Sequence, residues 1–478
     1  MKNSIAFVLD GNVVEVGFGR LSELTPTTTV LNYLRGLPQH RGVKEGCAEG
    51  DCGACTVVVG ELRTDRTIEY RAVDSCLLFL PMIHRKQLIT VENLKGSSGD
   101  LHPVQQAMVD LHGSQCGYCT PGIVMTLFAL YKGGNKPSRD EIADALAGNL
   151  CRCTGYEPIL KAAASSCDGN GRDHFAADEA RIVGLLESLS PDGISISTEF
   201  ERYDQPATLD ECLILMQKFP DALIVNGATD VALRVTKKFE TLRHIIDCSR
   251  VAELMSVSRD ARALTIGAGV RVSEVMKLVK NDFPGFYQMM TVFAARQIRN
   301  VATLGGNIGT ASPIGDSLPV LMAYSAEIIL QSRRGIRRVK AESFVTGYRK
   351  TTRQPDELIM AIVLPRPSAA TRIRTYKVSK RRDLDIATVS AAFRLDLDEK
   401  GIVGDITLAY GGMAEYTKRS VSAEAFLKGK VWNRQLVEEA QRFVDKDFSP
   451  ISDVRGSAEF RRIAARNLLL KFWSDTTK

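Results

Sequence analysis

Eight of the chain's eleven cysteines fall in its first third, in two tight groups, and thiols that close together do metal or redox chemistry. The first group is Cys47-x4-Cys52-x2-Cys55, with Cys76 further on; the second is Cys116-x2-Cys119 with Cys151-x-Cys153. Four thiolates suit either one zinc ion or the two irons of a [2Fe–2S] cluster. Zinc sites usually pair cysteines as two C-x2-C units, whereas C-x4-C-x2-C with a distant fourth cysteine is a [2Fe–2S] spacing. Glycines support that reading for the first group. In "GCAEGDCGAC", Gly46, Gly50 and Gly53 let the backbone curl tightly and aim N–H groups at an anionic centre. Alone, the second group reads equally as zinc or as [2Fe–2S]. Beside the first, a second cluster is the better reading, because two clusters on one chain make an electron wire. Cys167, Cys212 and Cys248 stand apart and read as small buried hydrophobes.

The elements that position these thiols follow from periodicity. Alternation over 4–9, 12–17 and 55–60 predicts strands, with a hairpin turn at Asp10-Gly11-Asn12, and 27–35 reads as a helix. Residues 100–165 switch to helical period. "HPVQQAMVDLHG", "PGIVMTLFALYKGG", "SRDEIADALAG" with a Ser138/Glu141 capping box, and "PILKAAASS" predict four short helices in a compact bundle. Both cysteine pairs of the second group lie at helix ends, where such a bundle can bring them together. Residues 166–195 read as a polar connector with one short helix at most. From 197 to 366 strands alternate with helices, and about 370–475 forms a further α+β unit.

At 478 residues the chain is too long for one core, and about 150 residues per domain gives three or four domains. A net charge of +6 is mild, and the basic stretches at 332–338 and 379–383 are short, reading as solvated hairpin or loop rather than a nucleic-acid surface. No apolar run approaches the ~20 residues that span a bilayer, and the N-terminus lacks a signal-peptide shape, so a cytoplasmic protein is expected. The six histidines show no metal-like spacing.

Two glycine-bearing stretches invite a cofactor. In "ALIVNGATDVAL" a strand runs into small residues that could cradle a diphosphate, or could simply connect to a helix. Residues 293–321, "FAARQIRNVATLGGNIGTASPIGDSLPVL", have no strong period of their own and read as a binding loop. "GAGVRV" at 267–272 lacks the third glycine of a dinucleotide fingerprint and reads as a strand turn.

Through "KEGCAEGDCGACTV", "HPVQQAM", "GSQCGYCTPG" and "AGNLCRCTGYEPI", all eight cysteine positions included, the first third resembles the iron–sulfur portion of the molybdenum hydroxylase family, which includes xanthine dehydrogenase. The two glycine stretches and "KVSKRRDLDIATVS" resemble the flavin part of the same family. The resemblance implies a multidomain α+β fold. Residues 1–90 would be a β-grasp, plant-type ferredoxin domain, 91–167 a helical-bundle [2Fe–2S] domain and 168–196 a linker. Residues 197–368 would bind FAD, and 369–478 would form a C-terminal domain of the carbon monoxide dehydrogenase flavoprotein type. It implies that Cys47, Cys52, Cys55 and Cys76 hold the cluster nearer the flavin, and Cys116, Cys119, Cys151 and Cys153 the one nearer molybdenum. Gln115 and Cys153 would approach the pterin across an interface.

For FAD, the resemblance implies that Ile224, Val225, Asn226, Gly227, Ala228, Thr229, Asp230 and Val231 hold the diphosphate and that Phe293 packs near the flavin ring. Thr303, Leu304, Gly305, Gly306 and Asn307 would line the cofactor, Asp316 would bond toward the ribose or adenine, Lys377 would lie near the flavin and Ile386 against the cofactor. No counterpart of the molybdopterin-binding domain is seen, so the expectation is the small subunit of a split enzyme. Its large molybdenum-bearing partner would complete a heterodimer that pairs into a heterotetramer. Electrons from purine (hypoxanthine or xanthine) hydroxylation would pass through two [2Fe–2S] clusters to FAD and then NAD, with no catalytic side chain on this chain. Aldehyde or nicotinate-like substrates, and a zinc-stabilised scaffold, are the alternatives.

Overall fold

The strands Ser4–Leu9 and Asn12–Gly17 pair as an antiparallel hairpin, with Asp10 and Gly11 at φ of 53° and 71° in the turn. The computed structural model describes residues 3–19, 22–96, 99–167, 169 and 172–477. The chain divides into two units, one of Met1–Thr208, Asp221–Arg250 and Ala295–Ala302, the other of Leu209–Pro220, Val251–Ala294 and Thr303–Lys478.

In the first unit the hairpin opens a five-stranded sheet, ordered Asn12–Gly17, Ser4–Leu9, Gln87–Ile89, Thr56–Leu62, Ile68–Asp74. The helix Val30–Gly36, capped by the Thr29 side chain, buries Val30, Leu31 and Leu34 in the core that holds Phe7, Val57 and Phe79. Thr56–Leu62 and Ile68–Asp74 pair with Thr56 opposite Asp74. That register brings the end of the first cysteine loop beside Cys76, which follows Asp74 by two residues.

The four expected helices are Pro103–Asp110, Thr120–Tyr131, Arg139–Leu146 and Glu157–Ser166. The capping box forms: Ser138 N–H donates to Glu141 Oε2 at 2.7 Å and Glu141 N–H to Ser138 Oγ at 3.3 Å. Val104, Phe128, Ile142 and Ile159 share a core with Val58 and Ile89 of the sheet, so the bundle packs on the strands that carry the first cysteine group.

The connector differs from expectation. Residues 168, 170 and 171 lie outside the described residues, but a 15-residue helix, His174–Ser188, follows them. Asp173 caps it, and Ile182, Val183 and Leu186 bury against Val8 and Ile68. Polar residues around those apolar positions hid the helical period. A four-stranded sheet, ordered Ile194–Ser197, Arg202–Gln205, His244–Asp247, Leu223–Val225, completes this unit.

The second unit holds a five-stranded sheet, ordered Val257–Arg259, Ala263–Gly267, Leu358–Pro365, Glu327–Ser332, Gly335–Lys340. Its basic stretch is the tip and outer strand of a hairpin, with Arg334 paired to Asp356 and Arg337 to Glu357, each at 2.7 Å. A second sheet, Arg372–Val378, Val389–Leu397, Val403–Gly411 and Lys418–Arg419, shares its core with the helices Arg434–Asp447 and Ala458–Thr476. The stretch 293–321 is not one loop. It contains the helices Arg296–Arg299, Leu304–Thr310 and Ser317–Ala323, each too short to show a period, and Ala295–Ala302 belongs to the first unit. Among the described residues no helix is long and apolar enough to cross a membrane.

Candidate functional site

The eight cysteines meet in pairs. In the first group Cys55 Sγ lies 3.3 Å from Cys76 Sγ, both buried, while the Cys47 and Cys52 thiols are hydrogen-bonded to one another. In the second, Cys119 pairs with Cys151, and Cys116 with Cys153. Each iron of a [2Fe–2S] cluster takes two thiolates, whereas one tetrahedral ion needs four sulfurs at a single point. Thiols set two by two are a donor set that a two-iron group fits.

Backbone geometry agrees. Glu49 N–H and Asp51 N–H donate to Cys47 Sγ at 3.4 and 3.3 Å, and Cys47 N–H donates to Cys52 Sγ at 3.4 Å. The hydrogen bond from Cys52, helped by the Glu49 and Asp51 N–H groups, pulls the Cys47 thiol down to about 5 against burial; the same pairing pushes Cys52 up. A thiol so placed is a ready thiolate ligand. Asp74 was not foreseen: its Oδ1 accepts from Cys55 Sγ at 3.8 Å and from Thr56 Oγ1 at 3.5 Å, and burial raises its carboxyl to about 8.

The two cysteine loops touch. Leu150 N–H donates to Cys52 C=O at 2.9 Å, and the Tyr118 hydroxyl donates to Glu45 C=O. Cys151 N–H in turn donates to the Tyr156 hydroxyl at 2.8 Å. Gln115, Cys116 and Cys153 are exposed in this chain.

Residues 90–164 match a [2Fe-2S] binding domain, 198–367 the FAD binding domain in molybdopterin dehydrogenase, and 374–476 the CO dehydrogenase flavoprotein C-terminal domain. Xanthine dehydrogenase 1 of Arabidopsis thaliana is 32% identical over 93% of this chain and 38% of its own length. The xanthine dehydrogenase/oxidase of Gallus gallus is 32% identical over 98% of this chain and 40% of its own. The chain belongs to the molybdenum hydroxylase family. It spans about two fifths of the length of these relatives. Among solved structures, a chain of the carbon monoxide dehydrogenase from Hydrogenophaga pseudoflava superposes with a TM-score of 0.54 and 26% identity, covering 58% of this chain and 96% of that one. Quinoline 2-oxidoreductase from Pseudomonas putida 86 shares the fold, with a TM-score of 0.53 at 24% identity, over 58% of this chain and 96% of that one.

The residues that the molybdenum hydroxylase resemblance assigns to FAD fall on both units. In the first, Ile224 and Val225 end the strand Leu223–Val225, and Asn226 to Val231 turn into the short helix Ala232–Thr236. Gly227, at φ 86°, is forced to lack a side chain because a methyl group there would overlap the Val301 carbonyl. In the second, Thr303 caps Leu304–Thr310, accepting from Gly306 N–H at 3.1 Å, and Asn307 Oδ1 accepts from Ser317 Oγ. Gly305 N–H donates to Ala268 C=O at 2.8 Å, so "GAGVRV" serves as a strand turn that anchors this helix. Lys377 Nζ donates to Asp316 Oδ2 at 2.7 Å and to Val292 C=O at 2.8 Å, next to the buried Phe293. Asp316 Oδ1 is buried without a hydrogen-bond partner among the described residues, which fits an acceptor for a cofactor hydroxyl or amine. Ile386 is 54% exposed.

Proposed function

We propose that this chain is the electron-relay part of a xanthine dehydrogenase, carrying electrons from purine hydroxylation at a molybdenum cofactor on a partner chain to NAD. The observation that carries the reading is the pairing of eight thiols two by two in loops that touch through Leu150 and Cys52. When bound, two [2Fe–2S] clusters exchange single electrons while FAD exchanges single electrons and pairs, so a one-electron wire can feed a hydride acceptor.

The chain's residues hold, space and insulate these groups; none acts as acid or base. Cys47, Cys52, Cys55 and Cys76 would ligate one cluster, with Cys55 and Cys76 buried and Cys47 and Cys52 half-buried. Cys116, Cys119, Cys151 and Cys153 would ligate the other, whose exposed rim of Gln115, Cys116 and Cys153 suits docking against a molybdopterin-bearing partner. Lys237, within the range matched by the FAD-binding domain, donates to Cys47 C=O at 3.1 Å, which supports setting the first cluster nearer the flavin. Residues 224–231, Phe293, Thr303 to Asn307, Asp316 and Lys377 would hold FAD, with Ile386 at the edge. In this reading the domain limits are those expected from the sequence, and the assembly is a cytoplasmic heterotetramer. The alignment with xanthine dehydrogenases over 93–99% of this chain, iron–sulfur and flavin regions together, favours a purine substrate.

The test is to purify the chain with its co-purifying partner and measure iron, zinc, labile sulfide, flavin and xanthine-dependent NADH formation. A brown, bleachable, iron-loaded protein that reduces NAD with xanthine supports the reading. Zinc without iron overturns it in favour of a scaffold, and turnover only with an aldehyde or a nicotinate-like heterocycle moves the substrate class.

A further inference from the structure

Between the two cysteine loops lies a set of polar side chains with no share in ligation. Asn149 is 2% exposed, Thr126 2% and Gln297 0%. Asn149 Nδ2 donates to Gly53 C=O at 3.0 Å and to Thr56 Oγ1 at 3.1 Å, both in or beside the first loop. Its Oδ1 accepts from Thr126 Oγ1 at 2.7 Å and from Gln297 Nε2 at 2.9 Å. Gln297 Nε2 also reaches Thr126 Oγ1 at 3.0 Å and Ala145 C=O at 3.2 Å. Both hydrogens and both lone pairs of the Asn149 amide are thereby used. The amide orientation of Gln297 is forced, since the flipped form would set its carbonyl oxygen against three acceptors.

The backbones here meet without side chains between them. A methyl group on Gly53 would overlap the Gly148 carbonyl, one on Gly122 the Gly53 carbonyl, and one on Gly148 the Gln297 amide. Both polar atoms of Asn149 and the Gln297 donor are matched at this junction, while Gln297 Oε1, against Gly148, has no partner among the described residues; the matched groups favour a single register. The register it fixes is informative. Asn149 immediately precedes Leu150, whose N–H donates to Cys52 C=O at 2.9 Å. From Cys52 Sγ the bonded path runs through its own carbonyl, across that one hydrogen bond, and along Leu150 to Cys151 Sγ. Tunnelling falls steeply with distance and favours bonded paths over gaps.

We propose that Asn149 and Gln297 are positioning residues for electron transfer between the two cysteine quartets, clamping the loops so that the Cys52–Leu150 hydrogen bond bridges them. Gln297 comes from a segment distant in sequence from both loops and matched by the FAD-binding domain, so it links the flavin region to the spacing of the wire. The proposal rests on the two-cluster reading above and adds to it residues that touch neither cluster.

The test uses the holoenzyme and its Gln297→Ala and Asn149→Ala variants, with Ile298→Ala as a control that loosens packing near Gly50 without touching the amides. Three readouts are needed: iron content, magnetic coupling between the two reduced clusters by low-temperature EPR, and hydrogen exchange of the peptide carrying Leu150. Loss of the clamp lengthens or breaks the Cys52–Leu150 hydrogen bond that bridges the loops, so inter-cluster transfer should slow in both amide variants. Iron should be retained, the coupling weakened and exchange at Leu150 accelerated, while Ile298→Ala leaves coupling and exchange near wild type. Unchanged coupling and exchange in iron-replete Gln297→Ala and Asn149→Ala would overturn the proposal. So would equal losses in Ile298→Ala, which would reduce the network to ordinary packing. Should a variant fail to assemble, Gln297→Glu, which keeps the volume and removes the donors, takes its place under the same criteria. A wild-type enzyme lacking two iron–sulfur EPR signals would instead defeat the reading of function on which this rests.

Discussion

Lys377 and Asp316 form a buried ion pair at 2.7 Å, with 4% and 8% of their side chains exposed. Burial pushes the Asp316 carboxyl above its usual value, and the lysine charge and hydrogen bond oppose that rise. Removing one partner leaves a buried charge uncompensated, which costs about 3–5 kcal/mol. Lys377→Met should therefore lower the unfolding free energy by about that amount, and Lys377→Met with Asp316→Asn by less. Without the lysine the carboxyl rises further, so the single variant should lose stability as pH increases through that raised value. Denaturant unfolding across pH, with flavin content read on the same samples, checks both the energetics and the proposed hold on FAD.

Replacing Cys116 or Cys151 with Ser removes one ligand of the second quartet. One of two iron–sulfur EPR signals should disappear, and reduction of the flavin by purine should stop while reduction by NADH persists. Stopped-flow flavin absorbance with each reductant separates these outcomes. Purine-driven NAD reduction at the wild-type rate in such a variant would mean that the second quartet is not on the route.

The cysteine spacing, the 4–17 hairpin and the Ser138 capping box were legible because each is a local pattern whose physics is complete within a few residues. The pairing of Cys119 with Cys151 and Cys116 with Cys153 was not, because it depends on how helix ends meet. The helix His174–Ser188 was read as mostly connector, since its apolar positions make sense only against Val8 and Ile68. Asn149 and Gln297 were invisible for the same reason. A single buried amide has no periodicity, and these two lie 148 residues apart in the chain. Residues 293–321 were read as one binding loop, whereas three short helices start within them and Ala295–Ala302 belongs to the first unit with the cysteine loops.

Gly53 and Gly134 both sit at positive φ, 66° and 70°, yet they should respond differently to alanine. Around Gly134 there is open space, so Gly134→Ala should cost about 1–2 kcal/mol of backbone strain alone. Around Gly53 the methyl group meets the Gly148 carbonyl and the Asn149 amide, adding overpacking of about 1–3 kcal/mol against backbone that cannot rotate away. Gly53→Ala should melt well below Gly134→Ala and should also lose iron from the first quartet. Equal melting temperatures with full iron would mean that the loops tolerate separation.

Asp204 offers a pH test at a residue assigned to no cofactor. Burial pushes its carboxyl up, but hydrogen bonds from His244, Arg202 and Ser195 outweigh that and hold it down at about 2. His244 Nε2 and Arg202 Nε each lie 2.7 Å from Oδ2, and Ser195 Oγ donates to Oδ1 at 2.5 Å. A carboxylate depressed in the folded state stabilises above its unfolded pKa, and that contribution fades as pH falls through the folded value. The window therefore runs from about pH 4 down to about pH 2, and the contribution is about 2 kcal/mol at neutral pH. Asp204→Asn should be less stable than wild type at pH 7, and the gap should shrink across that acid window. Urea unfolding of both proteins at several pH values measures the gap, and a pH-independent difference would mean that the Asp204 charge is not what holds Ile194–Ser197 against Arg202–Gln205.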